Sequence, residues 1–115
     1  MRQSHTTVLE RNTVWRGAFA TEPCEAGWAR EAVFFVRVLE TDVTNQWPQA
    51  WVEISPDGMH WCREGETLML PDGVDLPAQD ISFCRVAHFG SWLRLAGELP
   101  PDTSMRVIVY LTLKE

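Results

Sequence analysis

With 115 residues, 45% hydrophobic and 23% charged, the chain has the size and balance of one globular domain. A net charge of -6 argues against a general binder of nucleic-acid backbone, which needs a basic face, and against docking to an anionic membrane surface. No apolar run exceeds five residues, as at 32–36, against the roughly 20 of a membrane helix, and the N-terminal Met-Arg-Gln-Ser-His-Thr-Thr lacks the apolar centre of a secretory signal, so a cytoplasmic protein is expected.

Residues 1–20 are polar and Thr-rich and hold two strand candidates, 6–10 and 13–20, read as a peripheral N-terminal hairpin. Residues 21–29 read as a loop. The window 22–32 is compatible with a helix, but Pro23 and Gly27 weaken it, and no other segment keeps a 3.6-residue period with caps. The segment 31–40 is the strongest strand. Phe34, Val36 and Val38 line one face and Val33, Phe35, Arg37 and Leu39 the other, which predicts a central strand covered on both sides.

A β-hairpin is predicted between Trp47 and Arg63. Its first arm alternates, with Val52 and Ile54 opposite Trp51, Glu53 and Ser55. The turn Ser55-Pro-Asp-Gly58 has the required chemistry: proline presets φ, Asp bonds its own backbone, and Gly takes a positive φ without steric cost. A short strand at 66–70 ends in Pro71-Asp-Gly73, and 71–80 is an acidic loop. Residues 81–89 alternate, Gly90 interrupts, and 91–96 resumes. Pro100-Pro101 cannot belong to a central strand. In the closing strand, 104–114, Met105, Val107, Val109, Leu111 and Leu113 share one apolar face. Eight or nine short strands with Pro/Gly turns, and no crossover helices, predict a single all-β domain: an antiparallel β-sandwich of the jelly-roll type.

Six tryptophans are an excess for this length. Trp61 and Trp92 lie in strong strand patterns and are expected in the core. Trp47 and Trp51, four apart on one hairpin arm, share a face. That face is either part of the core or a contact surface for a glycan or a protein, since indoles anchor both. Trp28, in a loop, is the third candidate contact residue. His60 and Cys62 (i, i+2) and Cys84 and His88 (i, i+4) offer four ligands of the type zinc accepts. They lack the CxxC knuckle spacing, and free cysteines with surface histidines, or a Cys62–Cys84 disulfide, account for them without a metal. The acids Glu64, Glu66, Asp72, Asp75 and Asp80 lack the spacing of a calcium loop and read as solvated turn residues. No Gly-x-Ser-x-Gly elbow and no phosphate loop occurs, so neither catalysis nor a cofactor is expected.

The order of an alternating strand, the hairpin Val52-Glu-Ile-Ser-Pro-Asp-Gly-Met-His-Trp61, then Phe89-Gly-Ser-Trp-Leu-Arg-Leu95, then a long final strand, covers residues 31–115. It resembles small β-sandwich proteins of phage or prophage type and related bacterial proteins. The resemblance implies an accessory structural or assembly component without known catalysis, and it transfers no functional residue. The expected function is therefore a non-catalytic binding or assembly module whose partner is a second copy or another protein. Sheet edges that must be paired, covered or blunted point the same way. The alternatives are a carbohydrate-binding module using Trp28, Trp47 and Trp51, and a cupin-like metal-dependent enzyme, which three scattered histidines serve poorly.

Overall fold

The computed structural model describes residues 3–115. The described residues form nine strands: β1 (Ser4–Arg16), β2 (Ala18–Ala20), β3 (Cys24–Glu25), β4 (Glu31–Thr41), β5 (Gln49–Ser55), β6 (Cys62–Met69), β7 (Ile81–Ala87), β8 (Trp92–Glu98) and β9 (Ser104–Lys114). Among the described residues no helix is long and apolar enough to cross a membrane.

Two antiparallel sheets face each other. One runs β1-β9-β4-β7; the other runs β2-β8-β5-β6, with β3 also paired to β8. Taking β2 and β3 as one position, successive strands alternate between the sheets, except at the β5–β6 hairpin. This is the jelly-roll order. The core lies between the sheets. The face of β4 carrying Phe34, Val36 and Val38 meets there with the Met105–Leu113 face of β9, and Ala50, Val52, Leu93 and Leu95 close it from the opposite sheet. Each such large side chain, fully withdrawn from water, contributes about 1.5–3 kcal/mol.

Three elements differ from the sequence-based expectation. The N-terminal segment is not a hairpin: β1 pairs with β9 and β2 with β8, so the chain passes from one sheet to the other at Gly17 (φ 56). Trp15 and Phe19 stack across that corner with ring centroids 3.8 Å apart. The helix-compatible window instead holds β3 and a turn, because Ala26 N–H donates to the Ser91 carbonyl and Ala29 N–H to the Ala26 carbonyl. The strand β8 continues through Gly97, which the Phe19 ring covers so closely that a Cβ there would sit 2.5 Å from its Cζ.

The fourth difference bears on function. β4 is central, between β9 and β7, but only its inner face is covered. Val33 and Phe35 are half-buried and Leu39 is exposed on the outside, because β4 lies in a two-layer sandwich with no third layer against it.

Candidate functional site

The outer face of the five-stranded sheet settles where the hairpin indoles lie. Ala50 and Val52 are fully buried, so Trp51 points outward on the opposite face of β5. There it is half-buried and engaged on two sides. Its Nε1–H donates to Glu53 Oε2 at 3.0 Å, and the Arg63 guanidinium lies 3.9 Å from the ring centroid. The other oxygen of Glu53, Oε1, accepts from Arg94 Nε at 2.6 Å, and Arg94 in turn lies 4.3 Å from the Trp61 ring. Trp61 is therefore not in the core, as its strand pattern predicted. It stays half-exposed because it precedes β6 on the outer side, where a cation rather than an apolar layer covers it. Trp92, also expected in the core, is half-buried and packs under the turn: a Cβ on Gly58 would lie 3.2 Å from its indole carbons. Guanidinium–indole contacts of this kind each contribute about 0.5–2 kcal/mol.

The three indoles named as candidate contacts do not share one surface. Trp28, exposed, sits in the loop between β3 and β4, at the end of the sandwich where β8 begins. Trp47, 58% exposed, precedes β5 at the opposite end. Trp51 lies mid-sheet with Arg63 over one ring face. The four metal-ligand candidates are also separated in role. His60 is exposed, with Nδ1 2.6 Å from Asp57 Oδ2. Cys62 is exposed and its Sγ–H donates to the Ile54 carbonyl. Cys84 is buried, and burial, with Glu66 and Glu64 nearby, pushes its thiol up to about 12. His88 is exposed in the turn after β7 with a positive φ of 57. All three cysteines are free, and among the described residues no three His, Cys, Asp or Glu side chains converge in a way that could hold a metal ion.

A surface that the sequence analysis did not single out lies on the outside of the four-stranded sheet. Register places Val8 beside Tyr110, Tyr110 beside Phe35, and Phe35 beside Phe83, so one uncharged row crosses all four strands. The Phe35 and Phe83 rings lie 6.1 Å apart at 37°. The neighbouring row runs Ile108, Arg37, Ile81, with Arg37 Nε donating to Asp80 Oδ2 at 3.0 Å. Exposure rises towards β7, where Phe83 reaches 54% and Ile81 53%. Ile81 also lines a cleft of about 320 Å³ with Trp47, Met69, Leu70 and Pro71. Exposed apolar residues thus extend from the face of β7 around its edge to Trp47, with the polar Asp75, Gln79 and Ser82 set among them. The missed signal was present: 81–87 has apolar residues on both of its faces, which only one layer of core can cover.

Comparison with protein-family models and with curated proteins gives no match for this chain. The class that stands is therefore the one defined by architecture, a nine-stranded jelly-roll β-sandwich.

Proposed function

We propose that this jelly roll is a non-catalytic assembly module that self-associates on the β7 side of its four-stranded sheet. The observation that carries the reading is the set of exposed apolar residues Phe83, Ile81, Met69 and Trp47 on the β7 side, each more than half exposed. Exposed apolar residues that cluster mark interaction sites more often than singly scattered ones. Interfaces also favour aromatic and Met side chains, both present here.

The protein acts as a cytoplasmic accessory or structural component of the kind the phage-type resemblance implies, with a second copy as its partner. The glycan reading has less support. Arg63 already covers one face of Trp51, and Trp28 and Trp47 stand at opposite ends of the sandwich, whereas a sugar platform needs uncovered, neighbouring rings. The cupin-like reading has no convergent His/Glu set among the described residues to build on.

Light scattering after size exclusion, from low to high micromolar protein, should give a defined oligomer. Ile81→Lys should convert it to a monomer with an unchanged circular-dichroism spectrum, since Ile81 is exposed in the single chain. A wild-type chain that stays monomeric over that range overturns the proposal.

A further inference from the structure

The sandwich has four open sheet edges, and three of them are blunted by recognisable devices. An unblunted edge invites pairing with another chain. The edge strand β1 has two register irregularities, between Val8 and Glu10 and between Glu10 and Thr13, with Asn12 at a positive φ of 56. The edge strand β6 carries Gly65 at φ 121, an irregularity opposite Trp51–Glu53, and the charged residues Arg63, Glu64 and Glu66. The third edge is broken into β2 and β3, three and two residues long, with Pro23 between them.

The fourth edge, β7, has none of these. Its seven residues pair with β4 without a register shift, from Glu31 opposite Ala87 to Arg37 opposite Ile81. It contains no Gly or Pro and one charge, Arg85. Among the described residues its only strand partner is β4.

We infer that β7 pairs antiparallel with β7 of a second copy, about a two-fold axis at Cys84, joining the two four-stranded sheets into one of eight. This rests on the self-association proposed above and adds the strand and the register: the outer faces stay outside, and Ile81 and Phe83 are covered only in part, by the neighbours they gain across the seam. A two-fold axis normal to a sheet keeps the outer face of each copy outside, so only residues of one face can stand opposite each other. The axis must then fall on a residue. At Cys84, the middle of the strand, all seven residues find a partner. Ile81 faces Ala87 of the second copy, Ser82 faces Val86, Phe83 faces Arg85, and Cys84 faces its own copy. Moving the axis to Phe83 shortens the overlap. Moving it to Arg85 sets the two guanidinium groups against each other, and like charges directly opposite are destabilising.

The Cys84 register is thus the one that uses the whole strand and gives its single charge an aromatic neighbour across the axis. The same pair already meets within the chain, where the Arg85 guanidinium lies 5.5 Å from the Phe83 ring. Guanidinium over an aromatic face is attractive. A second copy supplies that match twice, by symmetry, which is why it rather than an unrelated strand is the occupant.

The register makes a charge-swap test specific. Phe83→Lys sets a lysine opposite Arg85 at two symmetric positions and should weaken the dimer at least about tenfold. Adding Arg85→Glu places Lys opposite Glu at both positions and should restore it. Phe83 is exposed in the single chain, so both variants should keep the wild-type melting temperature when dilute. Hydrogen exchange supplies the second reading: amides of 81–87 should become more protected as protein concentration rises. If Phe83→Lys dissociates the oligomer but Arg85→Glu does not restore it, and the β7 amides gain no protection, edge pairing in this register is wrong while self-association stands. If the wild-type chain is monomeric at every concentration, both readings fall, whether or not β7 captures a strand of some other protein.

Discussion

Glu53 holds the outer face of the five-stranded sheet together. Both of its side-chain oxygens are bonded, by the Trp51 indole N–H and by Arg94, with its side chain 15% exposed and that of Arg94 26% exposed. Partial burial makes this pair worth more than a surface ion pair, whose median contribution is about 0–1 kcal/mol. Glu53→Gln keeps the shape but removes the charge opposite Arg94, and is expected to cost about 1–2 kcal/mol in chemical denaturation. The three free thiols differ just as clearly. At pH 8, before unfolding, a thiol reagent should label the exposed Cys62, whereas Cys84, buried and pushed up to about 12, should react only once the chain unfolds. Mass spectrometry of the labelled peptides separates the two. Neither property is legible at this scale from sequence: Trp51 and Trp61 are apolar residues in apolar patterns, and the cations that cover them come from other strands.

The hairpin turn between β5 and β6 is the element whose chemistry the sequence states most directly. Ser55 Oγ accepts from the Gly58 N–H at 2.8 Å, and Asp57 Oδ1 accepts from the N–H groups of Met59 and His60 at 2.8 and 2.9 Å. These backbone donors, His60 first, together with the His60 ring, lower the Asp57 carboxyl below its ordinary 3.8. A carboxylate depressed in the folded state adds stability above its unfolded value and loses it as the unfolded chain takes up the proton first, so the turn's contribution is present at neutral pH and fades below about pH 4. Between pH 6 and pH 3 the urea midpoint of the wild-type protein should fall more than that of Asp57→Asn, and equal falls would show that the carboxylate adds nothing. Gly97 shows the opposite kind of element. The sequence pattern ends that strand at Ala96, yet β8 runs through Gly97, which pairs with Phe19 and Ala50 and leaves the Phe19 ring the space a side chain would need. With the ring stacked against Trp15, Gly97→Ala should destabilise by about 1–3 kcal/mol, visible as a lowered melting temperature.

At the scale of the molecule, the same apolar residue type has two values. Phe34 is fully buried between the sheets, and Phe34→Ala should cost about 3–5 kcal/mol of stability. Phe83, the third residue of the sheet's free strand and 54% exposed, should cost less than about 1 kcal/mol when truncated to Ala in the monomer, and should act on assembly instead. Denaturation of both variants at low concentration, with light scattering at high concentration, tests that division. The alternation in β4, β5 and β9 was legible locally, because period-two spacing lists which residues share a face whatever the partner strand. So was the sandwich class, because short strands with Pro/Gly turns and no crossover helices leave few other solutions. Which of two apolar faces becomes core was not. β4 and β7 offer apolar residues on both sides, and only the pairing of residues 44 (Arg37 with Ile81) to 83 (Glu31 with Lys114) positions apart placed Phe34 and Cys84 inside and Phe35 and Phe83 outside. The sequence by itself determined the long alternating strands, the β5–β6 turn and which of their residues share a face. The tertiary structure alone decided that a two-layer fold leaves one of those faces, and one unblunted edge, without a partner inside the chain, because burial is a property of the layer stacked on a strand and not of the strand.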